Sequence, residues 1–126
     1  MIVGIGTDLC RISRMEKALA SPAFFHRVFG PEEQALLERR TGAGRLATAA
    51  ANFAAKEAFL KAAGTGLREP FSLREIEAVR QENGAPAYRF SGQTAAWVAQ
   101  HRLRARLSLS HEGGMALAFC TLEEES

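Results

Sequence analysis

The chain of 126 residues is 47% hydrophobic and 24% charged, the balance of one ordinary globular domain over residues 1–126 rather than of a disordered segment. Its formal charge of +2 is too small to imply nucleic acid, which needs Lys and Arg concentrated on one face. No uncharged run reaches the roughly 20 apolar residues of a membrane span, and Cys10 and Cys120, without framework spacing or a leader-like segment before them, lead us to expect a reducing, cytoplasmic compartment.

Residues Met1 to Asp8 read as a short buried strand, with Ile2, Val3 and Ile5 before the turn-prone Gly6-Thr7-Asp8 and Asp8 at the strand end. Ser13 and Glu16 have the spacing of a capping box, which predicts a helix from about Ser13 to Leu19. Ser21-Pro22 and Gly30-Pro31-Glu32-Glu33 predict two more short helices, because proline suits a first helical position and carboxylates suit the positive end of the dipole. Phe24, Phe25 and Phe29 are read as core aromatics. A run rich in Ala, Leu, Lys and Glu from about Arg45 to Ala63 predicts the main helix, stopped by Gly64.

A strand near Glu75 to Gln81 comes next, and Asn83-Gly84 supplies a tight hairpin into Ala87 to Phe90. Ser91 to Gln100 reads as helix. Leu103, Ala105, Leu107 and Leu109 alternate with Arg104, Arg106, Ser108 and Ser110, the pattern of a half-buried strand. A turn at His111-Glu112-Gly113-Gly114 returns the chain into a partner strand over Met115 to Leu122, before an acidic tail at Glu123, Glu124 and Glu125. The expected class is α+β: a mostly antiparallel sheet packed with one long helix and several short ones.

Glu57 is the most informative residue of the main helix, lying only about 40° from Phe53 and about 60° from Leu60 around the axis. A carboxylate bordering an apolar face is paired, protonated or bound to a cation. On spacing alone, an ordinary i, i+4 pair with Lys61 is the favoured explanation. Asp8 either closes its turn and caps the first helix or meets Glu57; two such oxygen ligands, with substrate phosphates and water, describe a magnesium site. Gly64-Thr65-Gly66 is first a helix stop. His111 is an exposed turn residue or lines a site on a loop. Arg11, Arg14 and Lys17 form a solvated basic face or a docking surface for an acidic partner.

Three blocks resemble the holo-acyl-carrier-protein synthase family of phosphopantetheinyl transferases: Ile5-Gly6-Thr7-Asp8-Leu9 with Arg14 downstream, Phe53-Ala54-Ala55-Lys56-Glu57-Ala58-Phe59-Leu60-Lys61-Ala62 running into Gly64-Thr65-Gly66, and Ser108-Leu109-Ser110-His111-Glu112. Asn83-Gly84-Ala85-Pro86 adds a looser match. The resemblance implies the 4'-phosphopantetheinyl transferase fold and transfer of phosphopantetheine from coenzyme A to a serine of apo-acyl carrier protein, releasing 3',5'-ADP, in support of fatty acid biosynthesis. It implies that Asp8 and Glu57 hold Mg2+ against the pyrophosphate of coenzyme A and that Lys61 faces the phosphates. By the same resemblance Thr65, Gly66, Pro86, Ser110 and His111 line the coenzyme A cleft, and Arg14, with Arg11 and Lys17, meets the carrier protein. A homotrimer with its active sites between subunits is implied too. The serine proton passes to Glu57 or to a water oriented by Asp8, and the sequence leaves both open. Many relatives carry arginine where this chain has Asn52, so a cation near the site is expected to be missing, Arg45 lying about two helical turns away. A coenzyme A-binding module without turnover and a purely structural oligomer are the competing readings.

Overall fold

The computed structural model describes residues 1–125. In chain order it comprises strand β1 (Ile2–Arg11), helices α1 (Arg14–Ala20), α2 (Pro22–Val28), α3 (Pro31–Glu38) and α4 (Gly42–Ala63), a 3-10 turn at Leu73–Glu75, strands β2 (Ile76–Arg80) and β3 (Pro86–Phe90), helix α5 (Gly92–Gln100), and strands β4 (Leu103–Glu112) and β5 (Met115–Glu124). One sheet runs β1-β5-β4 and a second is the β2-β3 hairpin. Every strand pairing is antiparallel. The α+β expectation holds.

The long helix organises the rest. Ala49, Ala50, Ala51, Ala54, Ala55, Ala58 and Ala62 of α4 are all buried, so the helix is covered on most sides and can be approached closely by backbone. Its roughly 33 Å length ends at Gly64, which takes φ +78° and closes the last turn through its N–H to the carbonyls of Leu60 and Lys61. The helix begins at Gly42, three residues before the expected Arg45. Gly42 and Gly44 carry no signal of helix propensity and are exposed, so no local signal in the sequence marks this extra turn.

Strand β1 departs from expectation in length and in facing. It continues past Asp8 to Arg11, and Asp8 pairs with Ala118 of β5, so Asp8 lies within the strand, not at its end. The inward positions are not the β-branched residues but Gly4, Gly6, Asp8 and Cys10. A Cβ at Gly4 would overlap the carbonyl oxygen of Ala62, and one at Gly6 that of Ala58. Strand and helix therefore touch backbone to backbone, and only glycine allows it. Val3, Ile5 and Leu9 consequently face outward, 51%, 63% and 60% exposed, beside Leu117 and Phe119 of β5.

Smaller differences have local causes. Ser13 adopts helical angles and makes no side-chain cap, so the Ser13/Glu16 capping box does not form; the tight turn out of β1 already fixes its backbone, with Ile12 donating to Gly114. Ser21 does cap α2, accepting from the Phe24 N–H at 3.2 Å. His111 and Glu112 belong to β4, and the turn is Gly113-Gly114 alone. The acidic tail is mostly strand: Glu123 pairs with Arg106 and Glu125 with Arg104. Phe25 and Phe29 are buried, with Phe24 against Phe29 and Phe53, as expected of core aromatics.

A buried polar cluster fastens α3, α4 and β2 together. Glu33 and Lys56 are both fully buried and paired at 2.5 Å. Lys56 Nζ also donates to the carbonyls of Leu73 at 2.9 Å and Ile76 at 2.7 Å, using all three of its protons. Glu33 accepts in addition from the backbone N–H of Gly30 at 3.0 Å, the Asn52 amide at 3.0 Å and the Ala78 N–H at 3.1 Å. Burial pushes the Glu33 carboxyl up and the Lys56 ammonium down, and each partner opposes the shift of the other. A buried ion pair is tolerable only when its remaining lone pairs and protons are satisfied, and here they are.

Candidate active site

The glycine contact between β1 and α4 sets where Asp8 falls. From Gly4 to Gly6 the strand advances about 6.8 Å, and the facing helix retreats one turn, from Ala62 to Ala58. The next inward residue is Asp8, alongside the turn that carries Glu57. Asp8 and Glu57, 49 positions apart in sequence, thus come to one place. The Lys61 ammonium joins them, donating to Asp8 Oδ1 at 3.2 Å and to the Thr7 carbonyl at 2.9 Å.

The Glu57–Lys61 pair proposed from spacing does not form: Lys61 turns to Asp8, and Glu57 has no ion-pair or hydrogen-bond partner among the described residues. Burial pushes the Glu57 carboxyl up, the Asp8 carboxylate adds to the shift, and Lys61 and Arg14 oppose it. A partly buried, unpartnered carboxylate beside a second one is a poor anion site and a good cation site. Magnesium takes one or two protein carboxylates and fills its remaining positions with water and phosphate oxygens. The donor set therefore fits that ion, although no cluster of three or more His, Cys, Asp or Glu occurs among the described residues.

Arg14 stands at the rim of this cluster. Its guanidinium lies 5.3 Å above the Phe53 ring, a cation–π contact, and its charge is felt by Glu57. Arg11 at the end of β1 and Lys17 one turn along α1 are exposed. Thr65 and Gly66 lie just beyond the helix stop at the Lys61 end of α4, where the Thr65 hydroxyl donates to the Gly66 carbonyl at 3.0 Å.

Pro86, Ser110 and His111 lie in a different place. They border a cavity of about 710 Å3 whose lining includes none of Asp8, Glu57, Lys61, Thr65 or Gly66. The five residues assigned to the coenzyme A cleft by resemblance are thus divided in a single chain, Thr65 and Gly66 at the Lys61 end of α4 and Pro86, Ser110 and His111 at this cavity. Arg40 and Arg80, which sequence reasoning did not single out, also line the cavity. Arg80 Nη2 donates to Asn52 Oδ1 at 2.9 Å, so a cation expected to be missing at position 52 is instead present beside it, carried by β2. Lys56 and Glu33 were missed as well. The one sequence signal for Lys56 was its spacing with Asn52 and Phe59 along a single helical face.

The family described as the 4'-phosphopantetheinyl transferase superfamily matches residues 4–120 of the chain. A holo-[acyl-carrier-protein] synthase of Methylobacterium sp. (strain 4-46) is 44% identical, over 98% of this chain and 95% of that one. The crystal structure of a holo-(acyl-carrier-protein) synthase from Bacillus anthracis in complex with CoA (3',5'-ADP) superposes with a TM-score of 0.85 at 33% identity, covering 99% of each chain. A Chronobacterium ammoniagenes ACPS-CoA complex superposes with a TM-score of 0.82 at 30% identity, covering 98% of each.

Proposed function

The chain belongs to the holo-acyl-carrier-protein synthases of the 4'-phosphopantetheinyl transferase superfamily, and from that premise we propose that Asp8, Glu57 and Lys61 carry its chemistry. The enzyme transfers 4'-phosphopantetheine from coenzyme A to a serine of apo-acyl carrier protein, leaving 3',5'-ADP. The observation that supports our assignment is the meeting of Asp8, Glu57 and Lys61 across the β1–α4 contact.

Asp8 and Glu57 would hold Mg2+, which when bound supplies neutralisation of the diphosphate charge at the reacting phosphorus. Lys61 adds a second positive charge on the same side. Group transfer at phosphorus needs positioning and charge compensation more than covalent participation, so a rigid two-carboxylate, one-lysine arrangement is sufficient protein machinery. The serine hydroxyl attacks the pantetheine-side phosphorus, and its proton would pass either to the Glu57 carboxylate, whose pKa lies above its usual value, or to a water that Asp8 would orient. Arg14, with Arg11 and Lys17, presents cations beside the cluster to an acidic carrier helix, speeding encounter.

The separation of the carboxylate cluster from the Pro86, Ser110 and His111 cavity supports a site completed by a neighbouring copy, the cluster of one subunit facing the cavity of the next. The outward apolar residues Val3, Ile5, Leu9, Leu117 and Phe119 supply a face for that association, which we read as a homotrimer. Carriers of fatty acid biosynthesis, in the cytoplasm, are the expected partners; no helix among the described residues is long and apolar enough to cross a membrane. The deciding experiment incubates the protein with apo-acyl carrier protein, coenzyme A and magnesium and reads intact mass. A gain of one phosphopantetheine, lost with a chelator and in Glu57→Gln, is expected. Undiminished transfer by Glu57→Gln rules out this assignment, and no gain of mass in the unaltered protein would leave the non-catalytic binding module.

A further inference from the structure

Helix α5 has nine residues, too few to persist alone in water, and the side chain of its N-cap residue, Ser91, makes no capping hydrogen bond. The acceptor comes from another part of the chain. Glu75 Oε1 takes the Thr94 N–H at 3.1 Å and the Thr94 hydroxyl at 3.0 Å, the first of these being the bond that an N-cap side chain ordinarily makes. The backbone adds a third bond, from the Ser91 N–H to the Glu75 carbonyl at 3.2 Å. The carboxylate has room because residue 92 is glycine; a Cβ there would overlap Glu75 Oε2. Thr94 is fully buried, so loss of the carboxylate leaves a buried N–H and hydroxyl without their acceptor.

This cap closes a ring of contacts around the far end of the loop 64–72. Trp97 of α5 packs against Phe71 with ring centroids 4.8 Å apart, and Phe71 packs in turn on Phe59 of α4 at 5.6 Å. The ring runs from Glu75 to Thr94, along α5 to Trp97, across to Phe71 and back to Glu75 through the backbone. The near end of the same loop is the helix stop at Gly64. Between these ends, residues 65–70 form hydrogen bonds only among themselves and with Phe71, Gly66 takes φ +66°, and Leu67 is 57% exposed. The course of this span is therefore set by where its ends are fixed.

We propose that Glu75 is a positioning residue for coenzyme A: by capping α5 it fixes Trp97 against Phe71, and so sets the course of the loop that carries Thr65 and Gly66. The proposal rests on the coenzyme A reading above, in which Thr65 and Gly66 line the cleft. Asp8, Glu57 and Lys61 stand on β1 and α4, outside the loop, and keep their arrangement without it. The turn that bears Glu75 is also held to α2 by Arg74, which donates to the carbonyls of His26 and Phe29, and to α4 by Lys56, which donates to the carbonyl of Leu73. Removing the carboxylate therefore releases α5 and Phe71 rather than the turn itself. A loosened loop has to be ordered by the ligand, which weakens binding in proportion to the competent population lost, while the bound enzyme reacts as before. The effect falls on KM for coenzyme A and not on kcat.

The test measures kcat and KM for coenzyme A, together with hydrogen exchange of the amides in the loop 64–72, in the unaltered protein and in Glu75→Ala, Glu75→Gln and Ser21→Ala. In the unaltered protein, coenzyme A with magnesium is expected to slow exchange across the loop. No slowing would overturn the placement of Thr65 and Gly66 in the cleft, and this proposal with it. Glu75→Ala is expected to raise KM for coenzyme A by about 3- to 10-fold, the equilibrium worth of one helix cap, to leave kcat unmoved, and to speed loop exchange in the absence of ligand. Glu75→Gln keeps an oxygen acceptor for Thr94 and is expected to restore KM and exchange. Ser21→Ala removes the cap of α2, a comparable loss of stability elsewhere, and is expected to leave KM for coenzyme A unchanged. Should Glu75→Ala not fold, Thr94→Val, which deletes the hydroxyl bond alone, carries the same comparison with a smaller rise. If coenzyme A slows exchange in the unaltered protein but Glu75→Ala changes neither KM nor loop exchange, the proposal alone is overturned. An equal rise of KM in Ser21→Ala overturns it too, since the effect would then be one of general stability.

Discussion

Replacing Lys56 by Met tests the claim that the buried pair holds the α3, α4 and β2 junction together. The substitution keeps an unbranched side chain one atom shorter and removes the ammonium. Glu33 would then keep its three N–H donors but no counter-charge, at zero exposure, and the carbonyls of Leu73 and Ile76 would lose a donor. Breaking a buried pair from one side costs about 3–5 kcal/mol. A chain of this size has on the order of 6–19 kcal/mol of stability in total, so the variant should fold with a Tm lowered by roughly 10–25 °C. Thermal and urea unfolding followed by circular dichroism, at one fixed protein concentration, measure the loss. The pH dependence carries a second signature. Without Lys56, burial holds the Glu33 carboxyl further above its unfolded value; the folded state then binds more protons than the unfolded one between the two values, and stability rises as pH falls through that window. The deficit relative to the unaltered protein should therefore shrink from pH 8 to pH 5, and Glu33→Gln added to Lys56→Met should restore part of it. A deficit below about 1 kcal/mol, or one that is the same at both pH values, refutes the reasoning.

Other substitutions separate chemistry from fold. Gly6→Ala places a methyl against the Ala58 carbonyl; it should cost about 1–3 kcal/mol in urea unfolding and also lower kcat, because Asp8 moves with β1. Glu57→Gln should raise Tm at neutral pH in the presence of a chelator: burial and Asp8 hold the Glu57 carboxyl above its unfolded value, so its ionised form opposes folding there. Lys61, whose side chain is 57% exposed, should when replaced by Met change stability by less than about 1 kcal/mol while lowering kcat/KM in the carrier-protein assay. Leu9→Glu on the outward face of β1 should shift the sedimentation coefficient to that of a single chain and abolish transfer without unfolding it.

Much of the architecture was legible because several helix starts and stops have a local cause. Ser21-Pro22, Gly30-Pro31, Gly64 and Asn83-Gly84 are read from short-range chemistry, and all four mark the boundaries they suggest. The facing of β1 was not legible, because Ile2, Val3 and Ile5 suggest a buried strand, whereas the inward positions are glycines whose role emerges only when α4 lies against them. The approach of Asp8 to Glu57 came from resemblance and not from spacing; no local rule connects residues so far apart. Lys56 and Glu33 escaped notice because charged side chains on a helix are normally solvated, and only a closed set of partners permits their burial. Arg80 escaped for a similar reason, since its significance depends on Asn52 across the interior.

The start of α3 is unusual in depending on a distant strand. Gly30 has no side chain to cap the helix, and a Cβ there would collide with Glu77; Glu77 itself accepts the Glu33 N–H at 3.0 Å from 44 residues downstream. An eight-residue helix is too short to persist alone in water, so α3 and the β2-β3 hairpin belong to one cooperative unit that opens and closes together. A nascent chain that has not yet made β2 lacks a settled α3, and amide exchange at Glu33 reports on the hairpin as much as on its own helix. The strand that completes this cap through Glu77 also carries Arg80, so ordering at the cavity and ordering at the helix start are physically joined through five residues of β2.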